Sequence, residues 1–164
     1  MKKIIIHWTA GGYYPTSYEK KYYHYLIDKD GNVHNGNFPP EANLKCTKSN
    51  YAMHTGGGNT GAIGVAMCAM CGFKSKYQVG EYPITPKQFE ATMSFCAELC
   101  AKYNIEISPK TVMTHFEFGL SHPQTTSAGK IDIVYLPPYS WVAQNDIGAF
   151  IRSKIKWYKL KGVQ

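Results

Sequence analysis

Two imidazoles and one carboxylate follow apolar stretches of this 164-residue chain. His7 comes after Ile4-Ile5-Ile6, His115 after Thr111-Val112-Met113-Thr114, and Asp132 after Gly129-Lys130-Ile131. Side chains at strand ends can converge while a sheet holds them rigidly. Two imidazoles and a carboxylate with an open fourth position form the donor set of a catalytic zinc. The separations, 108 and 17 residues, make no local motif. Spacing alone therefore also fits ordinary hydrogen-bonded histidines. His122 competes as a ligand seven residues after His115 and reads better as a loop residue.

Other polar clusters point to less. His54-Thr55-Gly56-Gly57-Gly58-Asn59-Thr60-Gly61 has the glycines of a phosphate loop but lacks its lysine and following Ser/Thr. Cys68/Cys71 and Cys96/Cys100 have tolerable spacing for a second, structural zinc. Yet Cys96 and Cys100 fall on the apolar face of a helix and Cys68 ends an apolar strand, so small buried thiols are the simpler reading. Five cysteines, an odd number, are poor support for a disulfide framework.

The elements that must position these groups follow from periodicity. Lys3 to Trp8 reads as a buried first strand, and Ala62 to Met70 as a central one. Tyr14 to Lys21 has room for one short helix. Tyr22 to Asp28 and Val33 to Asn35 flank Asp30-Gly31, a hairpin signal. Residues 36–60 and 119–130 read as loop. Thr85-Pro86-Lys87-Gln88 starts a helix with a capping box and proline at the first helical position. Phe89, Met93, Cys96, Cys100 and Tyr103 then face inward. Thr111 to Thr114 is a short strand ending at His115. Asn145 or Asp146 caps a last helix with Ile147, Phe150, Ile151, Ile155 and Tyr158 on one face. Strands alternating with helices predict an α/β class with a central mixed sheet flanked by helices, as one domain over 1–164.

Composition narrows the partners. Hydrophobic residues make up 44% and charged residues 18%, which predicts a folded chain. Eighteen bases against eleven acids give +7, which favours an anionic partner. Residues 133–164 carry five bases and one acid. The tail from Arg152 to Lys161, with Trp157, Tyr158 and Leu160, reads first as a docked helix with a solvated basic face and second as a contact for an anionic envelope surface. No basic motif with interleaved aromatics appears elsewhere, so a nucleic-acid partner is not expected. No stretch has the ~18 apolar residues of a membrane span. The apolar run after Met1-Lys2-Lys3 is too short for a secretory signal, so synthesis in the cytoplasm is expected.

Several short motifs in order give a resemblance. His7-Trp8-Thr9-Ala10, Tyr23-His24-Tyr25-Leu26-Ile27-Asp28, Asp30-Gly31, His54-Thr55-Gly56-Gly57, Asn59-Thr60 with Ile63-Gly64-Val65, then His115 and Lys130-Ile131-Asp132, together resemble the zinc-dependent N-acetylmuramoyl-L-alanine amidases. This type 2 amidase family includes phage endolysins and shares its fold with the peptidoglycan-recognition proteins. The resemblance runs from residue 3 to about 136. Pro39 to Leu44 and Gly129 to Asp132 look most like a phage and prophage subgroup.

The resemblance implies that His7, His115 and Asp132 bind one zinc per chain, with Asp132 in the third-ligand role two residues after a lysine. Ile133-Val134 replaces the Pro-Gly of many relatives. It implies a neutral-pH water nucleophile on an amide carbonyl. Lys130 is then the positive partner of the developing oxyanion. Some relatives carry a glutamate where Ala66 stands; others use a tyrosine, which Tyr23 matches. A phenol is a poor base at pH 7, so Tyr23 is assigned to orienting water and steadying the transition state. His54 and Asn59 would contact muropeptide from a flexible cleft wall. His24, next to Tyr23 on a strand, would point to the opposite face, and His34 would lie on the hairpin surface. The implied activity is cleavage of the amide between N-acetylmuramic acid and L-alanine, by a monomeric endolysin that reaches the wall through holin-type release. A muropeptide-recycling enzyme, a secreted effector and a non-catalytic recognition module are the alternatives.

Overall fold

A computed structural model describes residues 1–162. Five strands form one sheet: β1 (Lys3–Trp8), β2 (Tyr25–Ile27), β3 (Val33–Asn35), β4 (Ala62–Met67) and β5 (Val112–Thr114), in the order β3-β2-β4-β1-β5. β1 runs parallel to β4 and β5, β2 runs parallel to β4, and only β3 is antiparallel, through its hairpin with β2. The sheet is mixed, as the sequence predicts. Helices α1 (Pro86–Lys102), α2 (His115–Ser121) and α3 (Ile147–Gly162) flank it. None of them is long and apolar enough to cross a membrane.

The central strands are covered on both faces, which explains their unbroken apolar runs. Side chains alternate along each strand, and the two faces differ. Ile4, Ile6 and Trp8 of β1 join Ile63, Val65 and Met67 of β4 in the main core with Phe89, Met93 and Cys96 of α1 and Ile151 and Ile155 of α3. On the other face, Ile5, Ala62, Met113 and Phe118 make a much smaller apolar cluster. That face of β4 carries only Ala62, Gly64 and Ala66. His7 lies on it, in register with Ala66.

The α1 cap forms as predicted, with Thr85 Oγ1 accepting from Gln88 N–H and Gln88 Oε1 accepting from Thr85 N–H. Buried Gln88 also donates to the carbonyls of Ile27 and Cys68, tying α1 to the ends of β2 and β4. Asp28 folds the hairpin turn by accepting from Asp30 N–H, Asn32 N–H and His34 Nε2.

Several boundaries depart from the sequence reading. The segment 14–21 supplies only a 3-10 turn, Glu19–Lys21. The second strand starts at Tyr25, so Tyr23 and His24 precede it. β4 stops at Met67, where the chain turns toward Met70, a non-glycine residue with φ of 77°. The stretch read as loop over 36–60 contains a 3-10 helix, Pro40–Leu44. α2 begins at His115, where a strand end was expected, and runs to Ser121. Asn145 and Asp146 lie in a 3-10 turn, Gln144–Asp146, that leads directly into α3.

Candidate metal centre and cleft

His7 and His115 meet at the carboxyl ends of adjacent parallel strands, the usual ligand crevice of parallel sheets. The β1–β5 register pairs Ile6 with Thr114, which sets His7 beside His115. Thr114 ends β5 and caps α2: its Oγ1 accepts from Glu117 N–H, and Glu117 Oε1 accepts from Thr114 N–H. The capping box fixes the strand-to-helix turn at which His115 stands. Arg152 of α3 clamps that turn, donating to both Glu117 carboxylate oxygens (3.0 and 3.1 Å) and to Val112 O (3.0 Å). Gly148 is needed there, because a Cβ would collide with the Glu117 carboxylate.

Asp132 comes from a turn, not from a strand end, which corrects the sequence reading. Phe116 N–H, an unpaired donor of the first α2 turn, bonds to Asp132 O at 2.7 Å, and the fully buried Ile133 anchors the following residue. The Asp132–Ile133 peptide bond is cis. Asp132 Oδ2 then lies 2.9 Å from His7 Nδ1 and 3.2 Å from His115 Nδ1, with 3.1 Å between the two imidazole nitrogens. All three residues are buried, and among the described residues this is the one His/Cys/Asp/Glu group compact enough to hold a metal ion.

Outer partners assign the tautomers. Ser127 Oγ donates its single proton to Gly56 O (2.7 Å), so at 3.0 Å it accepts from His115 Nε2–H. His54 Nε2 faces Ala62 O (3.1 Å), a pure acceptor, and must carry hydrogen. Burial holds the His54 imidazole neutral, far below its usual range, so its Nδ1 accepts. That atom faces His7 Nε2 at 3.2 Å and Thr55 Oγ1 at 2.7 Å, which places a hydrogen on His7 Nε2. Burial likewise pushes the His7 pKa down to about 4. Both Nδ1 atoms therefore turn bare lone pairs toward a carboxylate oxygen. Three lone-pair atoms this close, with no proton among them, fit a cation and do not satisfy one another.

His115 and Asp132 line an open cleft of about 580 Å³ together with Trp8, Tyr22, Tyr23, Met53, Thr126 and Lys130, while His7 is fully buried behind them. The Tyr23 ring lies 5.2 Å from that of His7. Burial, then the Asp132 carboxylate, push the Tyr23 phenol above its ordinary pKa, so it stays protonated and able to donate. Lys130 is exposed at the cleft margin.

The remaining sequence candidates fall elsewhere. His54 reaches the cleft but is 5% exposed, and both ring nitrogens are engaged inside the protein. Its place is behind His7. Gly64 makes that place, since a Cβ there would strike the His54 ring. Asn59 lines a different hollow; its Oδ1 accepts from Thr55 N–H and shapes the glycine loop. His122 stacks on Phe118 at 4.0 Å, away from the cluster. His24 is buried, accepts from Gly64 N–H at Nδ1 and bonds Asn43 at Nε2. His34 pairs with Asp28 at 2.8 Å. The five cysteines are free, and Cys68, Cys96 and Cys100 are buried, with burial raising all three thiols. Sequence reasoning missed Ser127 and Thr55, whose types carry no distinguishing signal. It also missed the α2 start, which Thr114-x-x-Glu117 does encode.

The comparisons with known proteins follow the same lines. A search of the curated proteins returns no match. Among solved structures, the fold is similar to the N-acetylmuramoyl-L-alanine amidase LysC from Clostridium intestinale, at TM-score 0.56 and 18% identity over 94% of this chain and 85% of that one. It is also similar to the N-acetylmuramyl-L-alanine amidase AmiD from E. coli, solved in complex with a muropeptide substrate, at TM-score 0.54 and 22% identity over 90% of this chain and 58% of that one. The endolysin of a Thermus scotoductus bacteriophage gives TM-score 0.51 and 17% identity over 93% and 82%. Such identities speak to the fold alone. The sequence itself matches the N-acetylmuramoyl-L-alanine amidase family over residues 1–132, four-fifths of the chain and both histidines and the aspartate of the cluster. This chain therefore belongs to the N-acetylmuramoyl-L-alanine amidase family.

Proposed function

We propose that this protein is a zinc-dependent peptidoglycan hydrolase that cleaves the amide between N-acetylmuramic acid and L-alanine. The observation that carries this is the convergence of His7 Nδ1, His115 Nδ1 and Asp132 Oδ2, with the imidazole protons directed away, at a cleft that His115 and Asp132 line in this family's fold. Two neutral imidazoles and a carboxylate would hold zinc through His7, His115 and Asp132, one protein ligand short of its usual four. Bound there, zinc supplies Lewis acidity, polarising the amide carbonyl and bringing the pKa of water toward ~7.

The chain's own groups do the rest. Ser127 and His54 hold the imidazole orientations, so no reorganisation is needed when substrate arrives. Tyr23, kept protonated by burial and by Asp132, donates a hydrogen bond that orients the attacking water or steadies the oxyanion. Lys130, at the margin beside Asp132, brings positive charge to the developing oxyanion. The acyl carbon keeps the oxygen of the water as a carboxylate, the C–N bond breaks, and a proton from that water passes to the L-alanine nitrogen, which leaves as the amino terminus of the stem peptide. The endolysin role is supported by the +7 charge, which draws the protein toward an anionic envelope.

Digestion of purified peptidoglycan with mass analysis tests the reading. New L-alanine amino termini on intact glycan strands are expected, lost on chelation and restored by zinc. Released reducing sugars, or activity indifferent to chelator, would overturn it. Lys130→Ala should retain zinc and lose about 10²–10³ in turnover.

A further inference from the structure

We propose that a second groove, opening from the cleft across Phe73 and Ile131, binds the glycan strand of the substrate. The groove measures about 770 Å³ and shares those two side chains with the cleft. Ile131 stands between Lys130 and Asp132, so a ligand held at the metal centre passes into the groove over a single residue. The proposal rests on the amidase reading above and names which arm of the substrate lies where.

The lining chemistry selects the sugar arm. Tyr77 and Trp141 border the groove at 87% and 74% exposure, and Phe73 and Tyr135 in the same lining stack nearly parallel, at 6.3 Å and 18°. Large aromatic surfaces left in water mark a binding site more than a packing defect. Their electron-rich faces suit the C–H faces of pyranose rings. Ser75, Ser140 and Gln144 supply neutral hydrogen-bonding groups for hydroxyls. No carboxylate lines the groove; its charged side chains are Lys74 and Lys76, and the Lys76 ammonium lies over the Tyr77 ring at 5.2 Å. The aromatic and hydroxyl-bearing part of this lining matches the rings and hydroxyls of a glycan strand. The exposed aromatic faces of Tyr77 and Trp141, and not the two lysines, are what favour sugar over a stem peptide here. The stem peptide is left to the cleft proper, beside Tyr22, Met53 and Thr126.

Binding remote from the reacting bond accelerates cleavage only where the substrate extends that far. The test compares two substrates in the full-length protein: polymeric peptidoglycan, and a single N-acetylmuramoyl-tripeptide with no neighbouring sugar. The variants are Trp141→Ala, Tyr77→Ala and the double substitution. Both residues are exposed, so folding is preserved. We expect the double variant to lose about tenfold in kcat/KM on the polymer and nothing on the monomer. We also expect chitotetraose to bind wild type and not the double variant. Equal losses on both substrates would mean the groove holds peptide, and no loss on either would mean it holds nothing; both overturn the proposal. If wild type cleaves neither substrate, the amidase reading fails by itself, and the chitotetraose titration decides the groove alone.

Discussion

The two faces of the central sheet are built to opposite specifications from the same strands. Toward α1 and α3, β1 and β4 present Ile4, Ile6, Trp8, Ile63, Val65 and Met67, and helix side chains close over them. Toward α2 they present Ile5, His7, Ala62, Gly64 and Ala66, and His54 fills the space left by the small residues beside the His7, His115 and Asp132 cluster. The first face supplies apolar burial, the main favourable term in folding. The second places buried imidazoles and a carboxylate where each must be satisfied by a partner, at a cost in stability that the first face offsets. Substitutions on the two faces should therefore separate stability from function.

The largest expected effect is on the second face. Asp132→Ala should abolish zinc retention and leave less than about 1% of activity, while thermal stability in metal-free buffer stays the same or rises, since one buried carboxylate is gone. Calorimetry with metal analysis checks this; a variant that retains zinc and lysis would remove Asp132 from the site. On the first face, Phe89→Ala should cost about 3–5 kcal/mol of stability through the cavity it leaves. The folded fraction should keep wild-type zinc affinity, and an affinity loss without unfolding would show that the two faces are coupled.

Smaller effects sharpen the boundary between them. Ser127→Ala removes the acceptor for His115 Nε2–H without touching the metal position. Zinc affinity should fall about 10–100-fold with little change in melting temperature, and Ser127→Thr should restore part of it. The smallest effect lies at the sheet edge. Burial raises the Asp28 carboxyl pKa, but hydrogen bonds from His34, Asn32 and Asp30 outweigh it and leave the group below its ordinary value. The folded state thus favours the charged form. Its contribution is fully present above the unfolded value of about 3.9 and is lost as pH falls through the folded one. Asp28→Asn should cost about 1–2 kcal/mol at pH 7, and the gap from wild type should close on acidification below about pH 4. A gap that persists at low pH would assign the effect to packing.

Much of this is legible in the sequence. The Ile-rich run of β1, the Thr85–Gln88 capping box and the Asp30-Gly31 hairpin signal depend on neighbours in the chain, and each forms where the sequence puts it. His7, His115 and Asp132 were readable as a set from their types and the order of the surrounding motifs. Where sequence reasoning slipped, a tertiary partner had decided. Tyr23 and His24 look like strand residues, but His24 is drawn inward by Gly64 N–H and Asn43. His115 looks like a strand end until Thr114 is seen capping a helix whose first turn is clamped by Arg152, some forty residues on. His54 looks like a loop histidine offered to ligand, yet the small residues of β4 let it sink behind His7.

The sequence by itself determined which groups could do chemistry and which strands would carry them, because residue type and periodicity are local properties of a chain. It even wrote the difference between the two faces into β4, as Ile63, Val65 and Met67 alternating with Ala62, Gly64 and Ala66. Only the tertiary structure decided which imidazole nitrogen faces the metal position. That choice is made by hydrogen bonds from His7 to His54 and from His115 to Ser127 and on to Gly56, residues far apart along the chain that meet only when the loops close over the sheet. A tautomer is set by whichever acceptor the far side of the ring meets, and that acceptor exists only in three dimensions.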